Sequence, residues 1–254
     1  MEVYYAIVSF IFGTVLGSFY NVVGYRLPKG ESLLYPASHC TNCNHRLTPI
    51  ELIPIFSFLL QGGKCKNCKK KISWFYPIFE MSSGILFALA YVIFGFSMEF
   101  VIAITFISML LIIVLSDYEY MIIPDEVLIF FGLLLSIEIG IGYGWQTLLS
   151  QLGQGVLAFV LMFLLKQFGN LLFKKESMGD GDIKLMAVFG LVLGFPMAVL
   201  SIFLGSFIGL PISIILLKKK STHIIPFGPF LSAGALIILL TQINFEWLMH
   251  VMGY

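Results

Sequence analysis

Between Leu185 and Leu217 the chain carries no charged side chain. A backbone that enters hydrocarbon has no water to bond, so each N–H and C=O must be satisfied within the segment itself. A helix does this, yet a straight helix of that length would reach roughly 50 Å at 1.5 Å per residue. The hydrocarbon layer is about 30 Å thick. The stretch is therefore read as two helices, divided at Phe195-Pro196. Other charge-poor apolar stretches run over residues 4–23, 75–95, 99–116, 127–143, 146–165 and 230–248, giving eight expected spans.

Composition agrees with this reading. Hydrophobic residues make up 59% of the 254 and charged residues only 11%, where an ordinary soluble domain has about 25% charged. A disordered chain, a nucleic-acid-binding domain and a typical cytosolic enzyme are excluded, so no nucleic acid is expected as a partner. The expected partner along most of the chain is the lipid bilayer. The fold class is an all-α polytopic membrane protein, with a small cytoplasmic insert resembling a zinc ribbon between the first two helices. No basic n-region precedes the first apolar stretch, which reads as a retained span and not as a cleaved signal. No internal repeat or low-complexity segment is evident.

The charges orient the spans. Eight of the 15 basic residues lie in residues 24–74, and Lys166, Lys174, Lys175 and Lys184 lie in or beside the loop after the fifth span. Lys218, Lys219 and Lys220 follow the seventh. With eight spans and the N-terminus outside, all 15 fall on one face, which the positive-inside rule assigns to the cytoplasm. Glu2, Glu99 and Glu246 remain on the other. Three parts follow: residues 1–23 as a first transmembrane helix, 24–74 as a cytoplasmic insert, and 75–254 as a seven-helix membrane domain.

The insert holds all four cysteines, as Cys40-x-x-Cys43 and Cys65-x-x-Cys68. In a reducing cytoplasm a disulfide is disfavoured. Paired C-x-x-C knuckles supply four thiolates for a structural zinc ion, with no open position for catalysis. A domain this small has too little core to fold readily alone, and a metal compensates. Nearby lysines offset the negative charge of a four-thiolate centre. His39 and His45 flank the first knuckle and read as surface residues.

Asp117 ends the third span and Asp182 begins the sixth, both at the cytoplasmic edge. Two facing carboxylates at one depth can share a proton, one activating water and the other protonating the carbonyl oxygen or the leaving amine. Gly179 and Gly181 would let a substrate backbone approach. The same residues also suit plain helix capping, and Asp125 and Asp180 compete for the two places. A proton-coupled transporter and a non-enzymatic zinc-ribbon scaffold remain as alternative functions.

Together these segments resemble the bacterial type IV prepilin peptidases, membrane aspartic peptidases with a G-x-G-D motif. The resemblance rests on Gly17-Ser18-Phe19-Tyr20-Asn21-Val22, Arg26-Leu27-Pro28, the two cysteine pairs, Glu51-Leu52-Ile53-Pro54 and Tyr76-Pro77-x-x-Glu80. It continues through Asp117 with Pro124-Asp125, Gly179-x-Gly181-Asp182-x-Lys184-Leu185, and Pro226-Phe227-Gly228-Pro229. It implies Asp117 and Asp182 as the catalytic pair, in place of Asp125 and Asp180, with Gly179, Gly181 and Lys184 supporting the motif. It further implies a multi-pass protein of the bacterial cytoplasmic membrane and prepilin or pseudopilin substrates, cut after a glycine at the cytoplasmic face, usually before phenylalanine. S-adenosylmethionine is implied as methyl donor for the new N-terminus. Glu51 and Glu80 are the carboxylates suspected near the methyl-transfer site.

Overall fold

The apolar stretches fold as helices because helices are the local way to pair every backbone group in lipid. The computed structural model describes residues 1–176, 178–219 and 225–243. Its helices are α1 (Glu2–Arg26), α2 (Phe56–Leu60), α3 (Phe75–Phe94), α4 (Met98–Tyr120), α5 (Asp125–Tyr143), α6 (Trp145–Phe173), α7 (Asp180–Leu193), α8 (Phe195–Lys219) and α9 (Gly228–Thr241). Among the described residues there is no strand, only two isolated bridges, His39 with Arg46 and Lys64 with Lys71.

Six helices are long and apolar enough to cross a membrane: α1, α3, α4, α5, α6 and α8. They coincide with six of the eight expected spans. The other two expected spans begin as α7 and α9, each of 14 residues. The far end of the last expected span, with Glu246, lies outside the described residues, as does Lys220. The division of the long uncharged stretch falls at Gly194, one residue before Phe195-Pro196. Gly194 has φ +83°, and the Gln154 side-chain oxygen accepts the next backbone N–H, from Phe195, at 2.9 Å.

The chain divides into two units, Met1–Phe100 and Val101–Tyr254. In the first, α1 packs along α3 through small residues. A Cβ on Gly13 would stand 2.7 Å from the Phe87 Cβ, and one on Gly84 would stand 2.6 Å from the Thr14 methyl. Ser83 Oγ donates to the Gly13 carbonyl at 2.7 Å. Small residues at this spacing let two backbones approach in lipid, where no hydrophobic driving force holds helices together.

The second unit repeats the device twice. Between α6 and α7, a Cβ on Gly155 would meet the Ala187 carbonyl at 2.7 Å, and one on Gly190 the Gln154 carbonyl at 2.6 Å. Between α8 and α9, a Cβ on Gly205 would meet the Phe230 carbonyl at 2.7 Å, and one on Gly234 the Ser201 carbonyl at 2.5 Å. Helix α4 is buried along most of its length, and its Phe106 ring packs edge-on against Phe189 of α7 at 5.6 Å.

Candidate functional site

The first unit builds a four-thiolate centre from two matching turns. Each turn closes by the same pair of backbone bonds. Cys40 N–H donates to His45 and Asn44 N–H to Cys40, both at 2.9 Å. Cys65 N–H donates to Lys70 at 2.9 Å and Lys69 N–H to Cys65 at 3.0 Å. Asn44 and Lys69 take the positive φ that each turn requires, 55° and 59°. The turns also exchange side-chain contacts. Asn42 Nδ2 donates to Cys68 Sγ at 3.6 Å, and Asn67 Nδ2 to Cys43 Sγ at 3.7 Å. The knuckles are thus a local duplication, Cys-x-Asn-Cys twice.

The four Sγ atoms lie within 4.8 Å of one another, with Cys40–Cys68 at 3.8 Å and Cys43–Cys65 at 3.9 Å. Tetrahedral zinc with bonds of about 2.3 Å sets its sulfurs about 3.8 Å apart. A disulfide needs about 2.05 Å, and all four cysteines are free. The donor set and its spacing fit zinc.

Glu51 and Glu80 are both buried in this unit. Glu51 Oε2 accepts the Thr48 backbone N–H at 2.9 Å and its hydroxyl at 2.8 Å, with His45 Nε2 at 3.3 Å. The Thr48 N–H chiefly holds this carboxyl below the usual carboxylate range. Glu51 Oε1 is buried and has no hydrogen-bond partner among the described residues. Glu80 Oε2 accepts the Ile55 N–H at 2.8 Å, steadying a β-branched residue at φ +62°, a conformation such residues rarely adopt. Asn21 of the opening signature, on α1, is also buried, and its Oδ1 lacks a partner among the described residues.

In the second unit the four candidate aspartates separate into two kinds. Asp125 is exposed, and both its oxygens take the Lys184 ammonium, at 2.8 and 2.7 Å. This pair ties the start of α5 to α7, so Asp125 serves as the first residue of α5 and not as its cap. Asp180 is exposed and receives Lys166 at 2.6 Å. Asp117 and Asp182 are instead buried, at 6% and 7% exposure, with no cation in salt-bridge range among the described residues. Helix periodicity turns Asp180 and Asp182 to different faces.

The buried pair sits where helix ends converge. Asp117 lies in the last turn of α4, and its Oδ2 accepts the N–H of Gly228, first residue of α9, at 2.9 Å. Asp182 is the third residue of α7, its carboxylate facing the N–H of Gly179 at the helix cap, while its Oδ1 is buried with no hydrogen-bond partner among the described residues. The two carboxylates lie within electrostatic range of each other.

Two glycines and one isoleucine set this convergence. A Cβ on Gly228 would stand 2.6 Å from Asp117 Oδ2 and 3.2 Å from Ile123 Cδ1. A Cβ on Gly181 would stand 2.7 Å from Ile123 Cβ. Ile123, in the turn before α5, therefore packs against both. The sequence reading kept Gly181 free for a substrate backbone, but Ile123 fills that space, so Gly181 is required by the packing. Gly179 is more open, its added Cβ reaching Asp182 Oδ2 only at 3.4 Å. Sequence reasoning did not place Gly228, Ile123 or Lys166 at the site. For Gly228 the sequence offered only its place in Pro226-Phe227-Gly228-Pro229, and its need to lack a Cβ emerges with Asp117 beside it.

Glu138, a further acidic residue within a span, belongs to α5. Thr105 Oγ1 donates to its Oε1 at 2.8 Å. Thr105 precedes Asp117 by three helical turns, roughly 18 Å along α4. A relay from Glu138 to the pair has no intermediate acidic residue on α4.

Residues 11–94 match the model of the bacterial peptidase A24 N-terminal domain, and residues 104–214 match that of the type IV leader peptidase family. A prepilin leader peptidase/N-methyltransferase of Bacillus subtilis (strain 168) is 38% identical, the match covering 91% of this chain and 92% of the relative. A protein of the same name from Neisseria gonorrhoeae is 32% identical over 90% of this chain and 87% of the relative, and one from Pseudomonas putida is 28% identical over 99% and 96%. No solved structure matches the chain. With both of its units covered, and with the apolar helices described above, the chain is a multi-pass inner-membrane enzyme that belongs to the type IV leader peptidase family.

Proposed function

We propose that the protein cleaves the leader from prepilins or pseudopilins after a glycine at the cytoplasmic membrane face, with Asp117 and Asp182 as the catalytic pair. The observation that carries this is the partition of the aspartates. Asp125 and Asp180 are exposed and ion-paired with Lys184 and Lys166, while Asp117 and Asp182 are buried and form no ion pair among the described residues. Leaving carboxylates buried without a cation is costly, and that cost is tolerated at sites of chemistry.

In the reaction, one carboxylate takes a proton from water. The water oxygen attacks the glycine carbonyl carbon while the other carboxyl protonates the carbonyl oxygen. The gem-diol collapses as its C–N bond breaks, and the leaving nitrogen takes a proton from the pair. The products are a leader ending in glycine and a new α-amine at the head of an apolar helix. Gly228 N–H keeps Asp117 in place throughout. Lys184 holds α7 to α5 through Asp125, and Gly179 and Gly181 shape the turn that presents Asp182.

The four cysteines would hold zinc as a staple for the insert, since four protein ligands leave no position for substrate. The names of the relatives support a second activity, N-methylation of the new terminus. S-adenosylmethionine, when bound, supplies an electrophilic methyl group. The suspected residues are Glu51 and Glu80, and the unpartnered Glu51 Oε1 is an acceptor able to receive an amine or hydroxyl there.

The test is incubation of the purified membrane protein with a synthetic prepilin, with and without S-adenosylmethionine, followed by mass spectrometry of the product N-terminus. Cleavage after glycine in both, with a further methyl mass only when the donor is present, is the expected result. Methyl transfer to a pre-cleaved peptide should survive Asp117→Asn or Asp182→Asn. A protein that moves protons across proteoliposomes and cuts nothing would instead be the transporter.

A further inference from the structure

Helix α3 has 20 residues, a length of about 30 Å at 1.5 Å per residue, which is the thickness of the hydrocarbon layer. It has no length to spare, so its first residue, Phe75, stands at the edge of that layer. Glu80, five residues on, then lies about 7 Å inside. A carboxyl group at that depth needs partners, and one comes from outside the spans. The Ile55 backbone N–H donates to Glu80 Oε2 at 2.8 Å, which sets Ile55 at the same depth. Three residues later the ring of Phe58 packs edge-on against Trp74, centroids 4.7 Å apart, and the chain is back at the edge. Trp74 directly precedes α3, at the interfacial level that tryptophan favours.

The segment suits such an excursion. Pro54 has no N–H to satisfy, that of Ile55 goes to Glu80, and those of Ser57 and Leu59 donate to Ile53 and Ile55 at 3.1 and 3.0 Å. Lipid demands this pairing of the backbone. Phe56, Leu59 and Leu60 share one face of α2 and are 67%, 60% and 76% exposed. Contiguous apolar side chains left open in this way mark a surface that meets lipid or another protein, and the depth of Ile55 selects lipid. The charges agree. Residues 52–79 hold no acidic side chain, while Lys64, Lys66, Lys69, Lys70 and Lys71 stand exposed around the second knuckle. That knuckle begins directly behind α2, since a Cβ on Gly63 would lie 3.0 Å from the Phe58 ring. Lysines above an apolar face complement anionic headgroups above acyl chains. We propose that residues 54–60 enter the leaflet on their side of the bilayer, with Phe56, Leu59 and Leu60 against the acyl chains. The insert is then seated in the membrane and not suspended beside it. This seat follows from the length of α3 and its contacts, and it does not depend on the peptidase reading.

Tryptophan fluorescence in vesicles tests it. The full-length protein carries Trp74→Phe, Trp145→Phe and Trp247→Phe, which remove its native tryptophans, together with Phe56→Trp as the single probe. It is reconstituted into vesicles of phosphatidylcholine and phosphatidylglycerol. Zinc content and thermal unfolding like those of the wild type establish that it is folded. Should it fail to fold, Leu59→Trp on the same face takes its place. Phospholipids brominated on the upper acyl chain should remove most of the fluorescence, and aqueous acrylamide should remove little. Absence of quenching by the brominated lipid overturns the proposal in either of two ways. If acrylamide quenches instead, the insert stands in water. If neither quenches, a second copy or another part of the chain covers the face.

Discussion

Gly228→Ala is the sharpest probe of how Asp117 is held. The added Cβ would lie 2.6 Å from Asp117 Oδ2, 3.2 Å from its carboxyl carbon and 3.2 Å from Ile123 Cδ1. Ordinary contact begins near 3.4 Å. Either the carboxylate retreats by most of an ångström, or the turn into α9 does. Retreat lengthens the bond from the Gly228 N–H, now 2.9 Å, and a hydrogen bond to a charged group contributes about 1.5–3 kcal/mol. Misplacing a reacting group by about 1 Å costs about 100-fold in rate, or about 2.7 kcal/mol, so the two routes to the magnitude agree. Gly228→Ala should therefore cleave a prepilin peptide about 100-fold more slowly, with zinc content unchanged. Gly153→Ala is the control, since no atom lies within 4 Å of its added Cβ, and it should cleave at the wild-type rate. Gly179→Ala should fall between the two, its Cβ touching Asp182 Oδ2 at 3.4 Å. Initial rates by chromatography of the cut peptide decide the matter. Wild-type cleavage by a folded Gly228→Ala protein would refute the view that Asp117 must occupy its present position.

Asp117→Asn and Asp182→Asn should each abolish cleavage of that peptide, and the double variant should be no worse than either, because members of one catalytic unit do not add. Asp180→Asn and Asp125→Asn should keep most of the activity. Asp125→Asn breaks an exposed ion pair, so thermal unfolding should move by no more than about 1 kcal/mol in stability, whereas Asp180→Asn takes a carboxylate from the largely buried Lys166 and should cost more. Elemental analysis should find about one zinc per chain, bound by Cys40, Cys43, Cys65 and Cys68. Asn42→Ala with Asn67→Ala should weaken zinc binding about 10-fold or more in a chelator competition, the usual effect of removing a group that bonds to a ligand. Gly84→Ala, whose Cβ meets the Thr14 methyl at 2.6 Å, should lower the unfolding midpoint by the equivalent of about 1–3 kcal/mol.

The sequence made the membrane helices legible because lipid forbids most alternatives. The break beside Phe195-Pro196 was visible as punctuation in apolar text. The cysteine centre was legible for a similar reason, since metal geometry leaves few spacings. The choice among four aspartates was carried by the resemblance alone, and the residues by themselves left it open. Asp117 and Asp125 differ in sequence only by their neighbours, and so do Asp180 and Asp182. What separates them is the reach of Lys184 and Lys166, which depends on how α5, α6 and α7 pack. Gly181 shows the same limit. Its freedom was expected to serve a substrate, but Ile123, 58 residues earlier in the chain, takes up the space.

The geometry also explains why the motifs of the second unit have their form. Asp117 stands in the last turn of α4, where the helix dipole is unfavourable to a negative charge. The Gly228 N–H reaches it from the first turn of another helix, α9, where such groups have no partner within their own helix. Asp182 sits at the start of α7, where charge of its sign is welcome. Bringing three helix ends to one place crowds their backbones. Glycine at 181 and at 228 removes the side chains that would collide, and Ile123 fills what remains between them. The prolines at 226 and 229 fix the turn that aims the Gly228 N–H, Pro229 occupying a first-turn position where its missing donor costs nothing. Each of these motif residues is thus accounted for by the problem of holding two buried carboxylates, one on a poorly suited helix end, within electrostatic range of each other.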